Sequence, residues 1–205
     1  GMGKAEFHYF NRNCWLQVKP QLENGAYPIR IDLPGRKGSE KPYFTFMGKE
    51  GIESLNEYLR KERSEVKRGE PIFVGARGTL LHDRTLNNRF QYLASRVGLI
   101  ELAAPKCQKC GLEARKSRYN GYVKYRCPRC GGFVEGYLSQ KVRYGVNPHE
   151  MRDIFKSEWH RSGADMAVAD FCMGHVIDPL NYDKVMTLHP EYAREQYLKA
   201  EPFLS

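Results

Sequence analysis

Two Cys-x-x-Cys-Gly segments, Cys107-Gln108-Lys109-Cys110-Gly111 and Cys127-Pro128-Arg129-Cys130-Gly131, constrain this chain more than any other feature. Each short loop reverses the backbone so that two sulfurs point inward. The glycine after the second cysteine admits the turn and lets backbone amides approach sulfur. Two such knuckles around a compact segment form the arrangement of a four-thiolate zinc ribbon, so Cys107, Cys110, Cys127 and Cys130 are expected to hold a structural Zn2+ ion. A disulfide pair and a redox dithiol are the rival readings; the lack of a secretion signal and the equivalence of the two knuckles favour zinc. Cys14 and Cys172 have no knuckle partner and read as ordinary thiols.

Between the knuckles, Leu112 to Arg126 is basic, with tyrosines interleaved. Asn120-Gly121 is the preferred dipeptide of a tight hairpin turn, which predicts two strands around it. Arg115, Lys116, Arg118, Lys124 and Arg126 are candidate contacts to double-stranded DNA phosphates, each adding salt-dependent affinity without sequence preference. The plainer alternative is that these charges solubilise a very small domain and that Tyr119, Tyr122 and Tyr125 clothe it. Over the whole chain of 205 residues the net charge is +9 and the pI near 9.2. That balance fits a polyanionic partner, either nucleic acid or an anionic membrane surface. No long apolar run or apolar N-terminal signal is present, so no membrane partner and a cytoplasmic location with reduced thiols are expected.

The remaining sequence reads as helices around a small hairpin. Residues 29–46 suggest two β-rich strands about a Gly/Ser turn. Ile52, Leu55, Tyr58 and Leu59 recur at helical spacing between Lys49 and Lys67, and a further helix is expected near Thr85 to Gly98. From Pro148 to Arg161, Asn147 is a candidate N-cap, Pro148 suits the first turn, and Met151, Ile154, Phe155 and Trp159 form an apolar stripe expected to face the core. Asp165 to Met173 reads as another helix delivering Gly174-His175 at its end, and a last one spans about Pro190 to Ala200. His149 and Arg152, three residues apart, share one helix face.

His149-Glu-Met-Arg152, followed by Met173-Gly174-His175 and then by tyrosines from Tyr182 onward, resembles the active-site series of the tyrosine recombinase (phage integrase) family. The hairpin upstream resembles that family's lysine-bearing β-hairpin. The resemblance implies an α+β fold: a mostly helical catalytic domain with a small β-hairpin sheet, interrupted by the zinc ribbon. Residues 1–104 would be its first part, 105–138 the inserted ribbon, and 139–205 its second part.

The function implied is site-specific DNA recombination and integration, as in a mobile element, by cutting and rejoining DNA through a 3′-phosphotyrosine. Tyr182 would attack, with Tyr192 and Tyr197 as alternatives. Arg152 and His175 would stabilise the phosphorane, His149 would act as general base, and Lys37 as general acid, with Lys41 or Arg36 as alternatives. The chemistry itself would need no nucleotide and no catalytic metal, and self-assembly on DNA as a homo-oligomer is expected. The chemical logic is independent of the resemblance: arginine donates two parallel charge-assisted hydrogen bonds to phosphate, histidine exchanges protons near neutrality, and tyrosine supplies a nucleophile.

One departure stands out. The family's first catalytic arginine lies upstream of the hairpin in a Thr-Gly-Leu-Arg-like motif; here Arg12 is the only arginine before the hairpin, and its surroundings differ. The N-terminal helical domain that clamps DNA is missing as well, so a fragment of a recombinase is expected. A non-catalytic zinc-ribbon DNA-binding protein on the same scaffold and a type IB topoisomerase-like enzyme are the competing functions.

Overall fold

Alternation decides the first sheet. In Ile29-Arg30-Ile31-Asp32-Leu33 the odd positions are buried, as a strand with one face on a core requires. This strand, β1 (Ile29–Leu33), pairs antiparallel with β2 (Tyr43–Met47), Ile31 lying opposite Thr45. The computed structural model describes residues 2–35, 41–75, 78–98, 102–103, 105–113, 121–140, 149–177 and 184–204.

Before β1 come α1 (Lys4–Asn13) and α2 (Trp15–Glu23); after β2 comes α3 (Lys49–Glu62). The second half holds α4 (Asp83–Arg96), β3 (Leu102–Ala103), β4 (Gly121–Arg126) and β5 (Phe133–Gln140), then α5 (Glu150–Arg161), α6 (Met166–Cys172), α7 (Val185–Leu188) and α8 (Pro190–Leu204). The chain is α+β and divides into two compact units, Gly1–Leu81 with His149–Ser205, and His82–Pro148. Among the described residues no helix is long and apolar enough to cross a membrane.

In the larger unit the hairpin is covered on both faces. Ile29, Ile31, Leu33 and Tyr43 join Phe10, Cys14, Val18, Leu55 and Ile72 in one core. Phe44 belongs to another, with Trp159, Val168, Cys172, Met186 and Tyr197, and Phe46 packs against it. A strand whose successive residues enter opposite cores explains why Tyr43, Phe44 and Thr45 are all buried. Asn11, fully buried, holds the segment after α3: its amide nitrogen donates to the Phe73 carbonyl at 3.0 Å and its oxygen accepts from the Phe73 amide at 2.5 Å.

Most expected elements are present, with shifted ends: α3 stops at Glu62 rather than Lys67, and α8 runs on to Leu204. Helices α1, α2 and α7 were not anticipated. The stripe on α5 needs correction. Trp159 is fully buried, but Met151 and Ile154 are about half exposed, and Arg152 at 4% exposure takes an inward position instead. The helix is therefore turned by its arginine as well as by its apolar residues.

In the smaller unit the sheet order is β3-β5-β4. Strand β4 pairs with β5 from Gly121↔Leu138 to Arg126↔Phe133. The second knuckle connects these two strands, the chain reversal at Cys127–Gly132 being a tight turn that brings them into register; the hairpin expected about Asn120-Gly121 falls in part on residues outside those described. Gly121 is the first residue of β4, and residues 114–120 lie outside the described residues.

Candidate functional site

The two knuckles have the same internal bonding. In the first, the Gly111 amide donates to the Cys107 carbonyl at 2.9 Å and the Cys107 amide to the Leu112 carbonyl at 2.8 Å. In the second, the Gly131 amide donates to the Cys127 carbonyl at 2.9 Å and the Cys127 amide to the Gly132 carbonyl at 2.6 Å. Gly111 and Gly131 both have φ of 70°, the left-handed region that costs a residue with a Cβ about 1–2 kcal/mol.

The repeated turn gathers the four sulfurs within 4.8 Å of one another. Cys107 and Cys130 Sγ are 3.5 Å apart, and Cys110 and Cys127 Sγ 3.6 Å. These separations are far longer than the ~2.05 Å of a disulfide and close to the ~3.8 Å edge of a tetrahedron with zinc–sulfur bonds of about 2.3 Å. The Cys110 and Lys109 amides bring the Cys107 thiol down to about 6. The Gly132 amide acts the same way on Cys130, but the neighbouring sulfurs and burial outweigh it and push that thiol up to about 12. Four thiolates so close would repel one another without a cation among them. Cys107, Cys110, Cys127 and Cys130 could thus hold a metal ion such as zinc.

Gly132 was not singled out by the spacing. A Cβ there would lie 3.0 Å from Lys109 Cβ, 3.2 Å from Cys107 Sγ and 3.4 Å from Cys130 Sγ, so the second glycine of Gly131-Gly132 makes room for the first knuckle and for sulfur. The doubling of glycine after Cys130 was the available signal.

The second candidate site begins at the end of α6. Asp165 caps its start, accepting the Ala167 amide at 2.8 Å. At its end Gly174 adopts φ of 70°. The Gly174 amide then donates to the Phe171 carbonyl at 2.7 Å and the His175 amide to the Asp170 carbonyl at 2.9 Å. This is the Schellman closure, which needs a left-handed residue and explains the glycine before His175.

That closure carries the His175 side chain toward α5. Arg152 Nη2 donates to the Met173 carbonyl at 2.9 Å and lies 3.2 Å from His175 Nε2. Guanidinium has only donors, so this contact is a hydrogen bond only when Nε2 accepts, an arrangement that leaves the imidazole proton on Nδ1. Nδ1 is 2.9 Å from Asp170 Oδ1, which also accepts from Lys156 Nζ at 2.7 Å. Burial opposes ionisation of Asp170, but the bonds from Lys156 and His175 prevail and hold its carboxyl below the ordinary carboxylate value. The result is a chain Arg152–His175–Asp170–Lys156, anchored by the buried arginine and open to solvent at His175, 41% exposed.

Sequence reading paired Arg152 with His175 but missed the rest. Lys156 stands one helical turn after Arg152, and Asp170 is the only charged residue of Met166–Cys172. A lone carboxylate in an otherwise apolar helix was the legible sign. Helix α1 comes close as well: a Cβ on Gly3 would contact Glu6 Oε2 and lie 3.5 Å from Arg152 Nη1, so buried Glu6 and the arginine both border this glycine. Arg12 is exposed on α1.

His149 is exposed at the N-cap of α5, and its carbonyl accepts the Arg152 amide at 2.9 Å. Tyr182 and Lys37 lie outside the described residues, as do Arg36, Arg115, Lys116 and Arg118. Lys41 is exposed just before β2. Tyr192 donates its hydroxyl to Asp165 Oδ2 at 2.8 Å, and that carboxylate raises its pKa. Tyr197 is buried against Trp159 and Phe46, and burial, then the Glu201 charge, raises its pKa too. In this conformation both tyrosines are packing or capping residues. On the ribbon, Lys124 Nζ lies 3.3 Å from Glu135 Oε1, and the Arg126 guanidinium stands 5.7 Å over the Phe133 ring; both cations are exposed.

No protein-family model, curated protein or solved structure matches this chain.

Proposed function

We propose that the protein is a DNA strand-cutting and rejoining enzyme of the tyrosine recombinase type, carrying a structural zinc ribbon. The observation that carries this reading is the meeting of Arg152 and His175 from two helices, Nη2 to Nε2 at 3.2 Å, with the arginine buried and the histidine open to solvent. A rigid guanidinium beside an exposed imidazole suits a phosphate whose charge grows as it is attacked.

In this reading Tyr182 attacks the scissile phosphate, forming the 3′-phosphotyrosine and releasing a 5′-hydroxyl. Its proton passes to His149, and Lys37 protonates the departing 5′-oxygen. Arg152 and His175 stabilise the non-bridging oxygens. The positions of Tyr192, on the cap of α6, and of Tyr197, in the core, support Tyr182 over its two alternatives. The reaction conserves the phosphodiester energy in the tyrosine ester, and rejoining reverses it with a hydroxyl of the partner duplex. A homo-oligomer on DNA would pair the two duplexes.

Zinc bound by Cys107, Cys110, Cys127 and Cys130 would shape the ribbon, with Arg126 and Lys124 adding phosphate contacts beside Arg115, Lys116 and Arg118. The Lys124–Glu135 pair makes Arg126 the stronger contributor of the two described cations. A suicide-substrate assay tests the reading. Nicked duplexes mixed with the protein are expected to give adducts that survive detergent, and Tyr182→Phe is expected to abolish them. An adduct surviving in that variant moves the nucleophile elsewhere; tight, salt-sensitive binding with no adduct establishes the DNA-binding alternative.

A further inference from the structure

We propose that Asp170 is a positioning residue of this site: its carboxylate fixes His175 as the Nδ1–H tautomer and so delivers Nε2 to the phosphate beside Arg152, while Lys156 holds the carboxylate in place. The inference rests on the strand-transfer reading for its purpose, but not for its geometry.

His175 is tied to Asp170 twice. Its backbone amide donates to the Asp170 carbonyl at 2.9 Å through the helix-end closure, and its ring Nδ1 lies 2.9 Å from Asp170 Oδ1. Five residues apart in sequence, the two are therefore held by main chain and side chain at once, which leaves the ring little freedom to turn. The same Oδ1 accepts from Lys156 Nζ at 2.7 Å, so α5 fixes the carboxylate from the other side. An imidazole whose Nδ1–H is committed to a carboxylate must present Nε2 as its free nitrogen, and Nε2 faces Arg152 Nη2 at 3.2 Å.

Among the described residues the charged groups bearing on His175 are Arg152 from α5 and Asp170 from α6, with Lys156 beyond Asp170 and Glu6 of α1 near Gly3, which Arg152 also approaches. Without DNA, Nε2 accepts from the guanidinium. With a phosphate in place, the Arg152 N–H turns to a non-bridging oxygen. Nε2 is then free to take a proton from solvent, and the imidazolium donates Nε2–H to the phosphate while Nδ1–H remains on Asp170. The positive charge formed on the ring lies between two anions, the carboxylate and the phosphate.

Histidine-selective 15N labelling of the whole protein tests this without any assumption about DNA. Long-range proton–nitrogen spectra near neutrality show which ring nitrogen carries the proton, and His175→Gln identifies the resonances of His175. The wild type is expected to be Nδ1–H, Asp170→Ala to lose that preference, and Asp170→Asn to keep it, since an amide oxygen still accepts the bond. Lys156→Met is expected to weaken the preference partially and guards against an Asp170→Ala variant that fails to fold. An unchanged tautomer in Asp170→Ala, or Nε2–H in the wild type, overturns the proposal.

Adduct formation with a pool of sequence-randomised nicked duplexes supplies the functional half. Asp170→Ala is expected to slow it on the order of 10- to 100-fold, the range seen when a metal-ligating histidine loses its outer hydrogen-bond partner, and Asp170→Asn is expected to retain most of the rate. An unchanged rate in Asp170→Ala overturns the role in the reaction. A wild-type protein that forms no adduct with any duplex overturns the recombinase reading instead, while the tautomer result still decides what Asp170 does to His175.

Discussion

In the ribbon, the buried apolar cluster among the described residues is Cys107, Cys127 and Val134, with Cys110, Leu112 and Cys130 against it. In the helical unit, Phe44, Trp159, Met186 and Tyr197 anchor one cluster, and Phe10, Ile29, Ile31 and Ile72 another. Burying a large apolar side chain contributes about 1.5–3 kcal/mol, whereas ordering each residue's backbone costs about 1–2 kcal/mol. Among the described residues the ribbon's interior is little more than Val134, Leu112 and sulfur, too little to hold its strands by packing. The helical unit can hold together by packing, and its exposed His175 stands outside that packed interior. Folding of the ribbon is thus expected to depend on metal, and the Arg152–His175 site to be indifferent to it.

Metal removal separates the units most sharply. Structural zinc contributes an apparent binding free energy of about 10–16 kcal/mol in small domains. A strong chelator is expected to release about one zinc per chain and to erase amide protection in β4 and β5. Tryptophan fluorescence should stay unchanged, since Trp15 and Trp159 both lie in the helical unit. Cys127→Ser should have the same outcome; a chelated protein with full β4 and β5 protection would show that packing suffices.

The reciprocal break is Trp159→Ala. This side chain is fully buried, touches Phe155 and Tyr197, and donates to the Asp165 carbonyl at 3.0 Å. Its loss is expected to cost about 3–5 kcal/mol in denaturant unfolding of the helical unit, with zinc stoichiometry unaltered.

Asp165→Ala is a smaller perturbation of the same unit. It removes the α6 N-cap and the acceptor of the Tyr192 hydroxyl, and about 1–2 kcal/mol of stability should go with it. If urea unfolding is unmoved, the cap is not what sets the start of α6.

Acid gives the mildest test. The folded Asp170 carboxyl lies below its ordinary value of 3.8, so its contribution is complete above that pH and is lost as the pH falls through the lower, folded value. Because the group is partly exposed, the effect is expected to be small. Acid unfolding of Asp170→Asn should show a correspondingly shallower loss below pH 3.8 than the wild type, measured by tryptophan fluorescence.

Local pattern was enough for several of these features. The knuckles were legible because metal ligation fixes residue type and spacing within a few residues. The β1 strand was legible from the alternation of Ile29, Ile31 and Leu33, and α3 from its helical periodicity. The N-terminal helices were less so: α1 and α2 carry little periodic contrast, and α2 includes Pro20. On α5, periodicity suggested Met151 and Ile154 as core, because an arginine is seldom assigned to an inward position by pattern alone. Its burial is made possible by acceptors from the turn that closes α6, Met173 and His175.

The sequence by itself determined which cysteines would gather, which strand faces a core, and that Gly174 ends a helix before His175, since each follows from backbone geometry over a handful of residues. Only the tertiary structure decided that Arg152 turns inward, that Asp170 and Lys156 stand behind His175, and that Tyr192 and Tyr197 are occupied elsewhere. Apart from the bond between Asp170 and the His175 ring, five residues apart, those outcomes depend on hydrogen-bond partners 14 to 27 residues away in the chain or on burial between helices, and no local pattern encodes which distant carbonyl or carboxylate will be within reach.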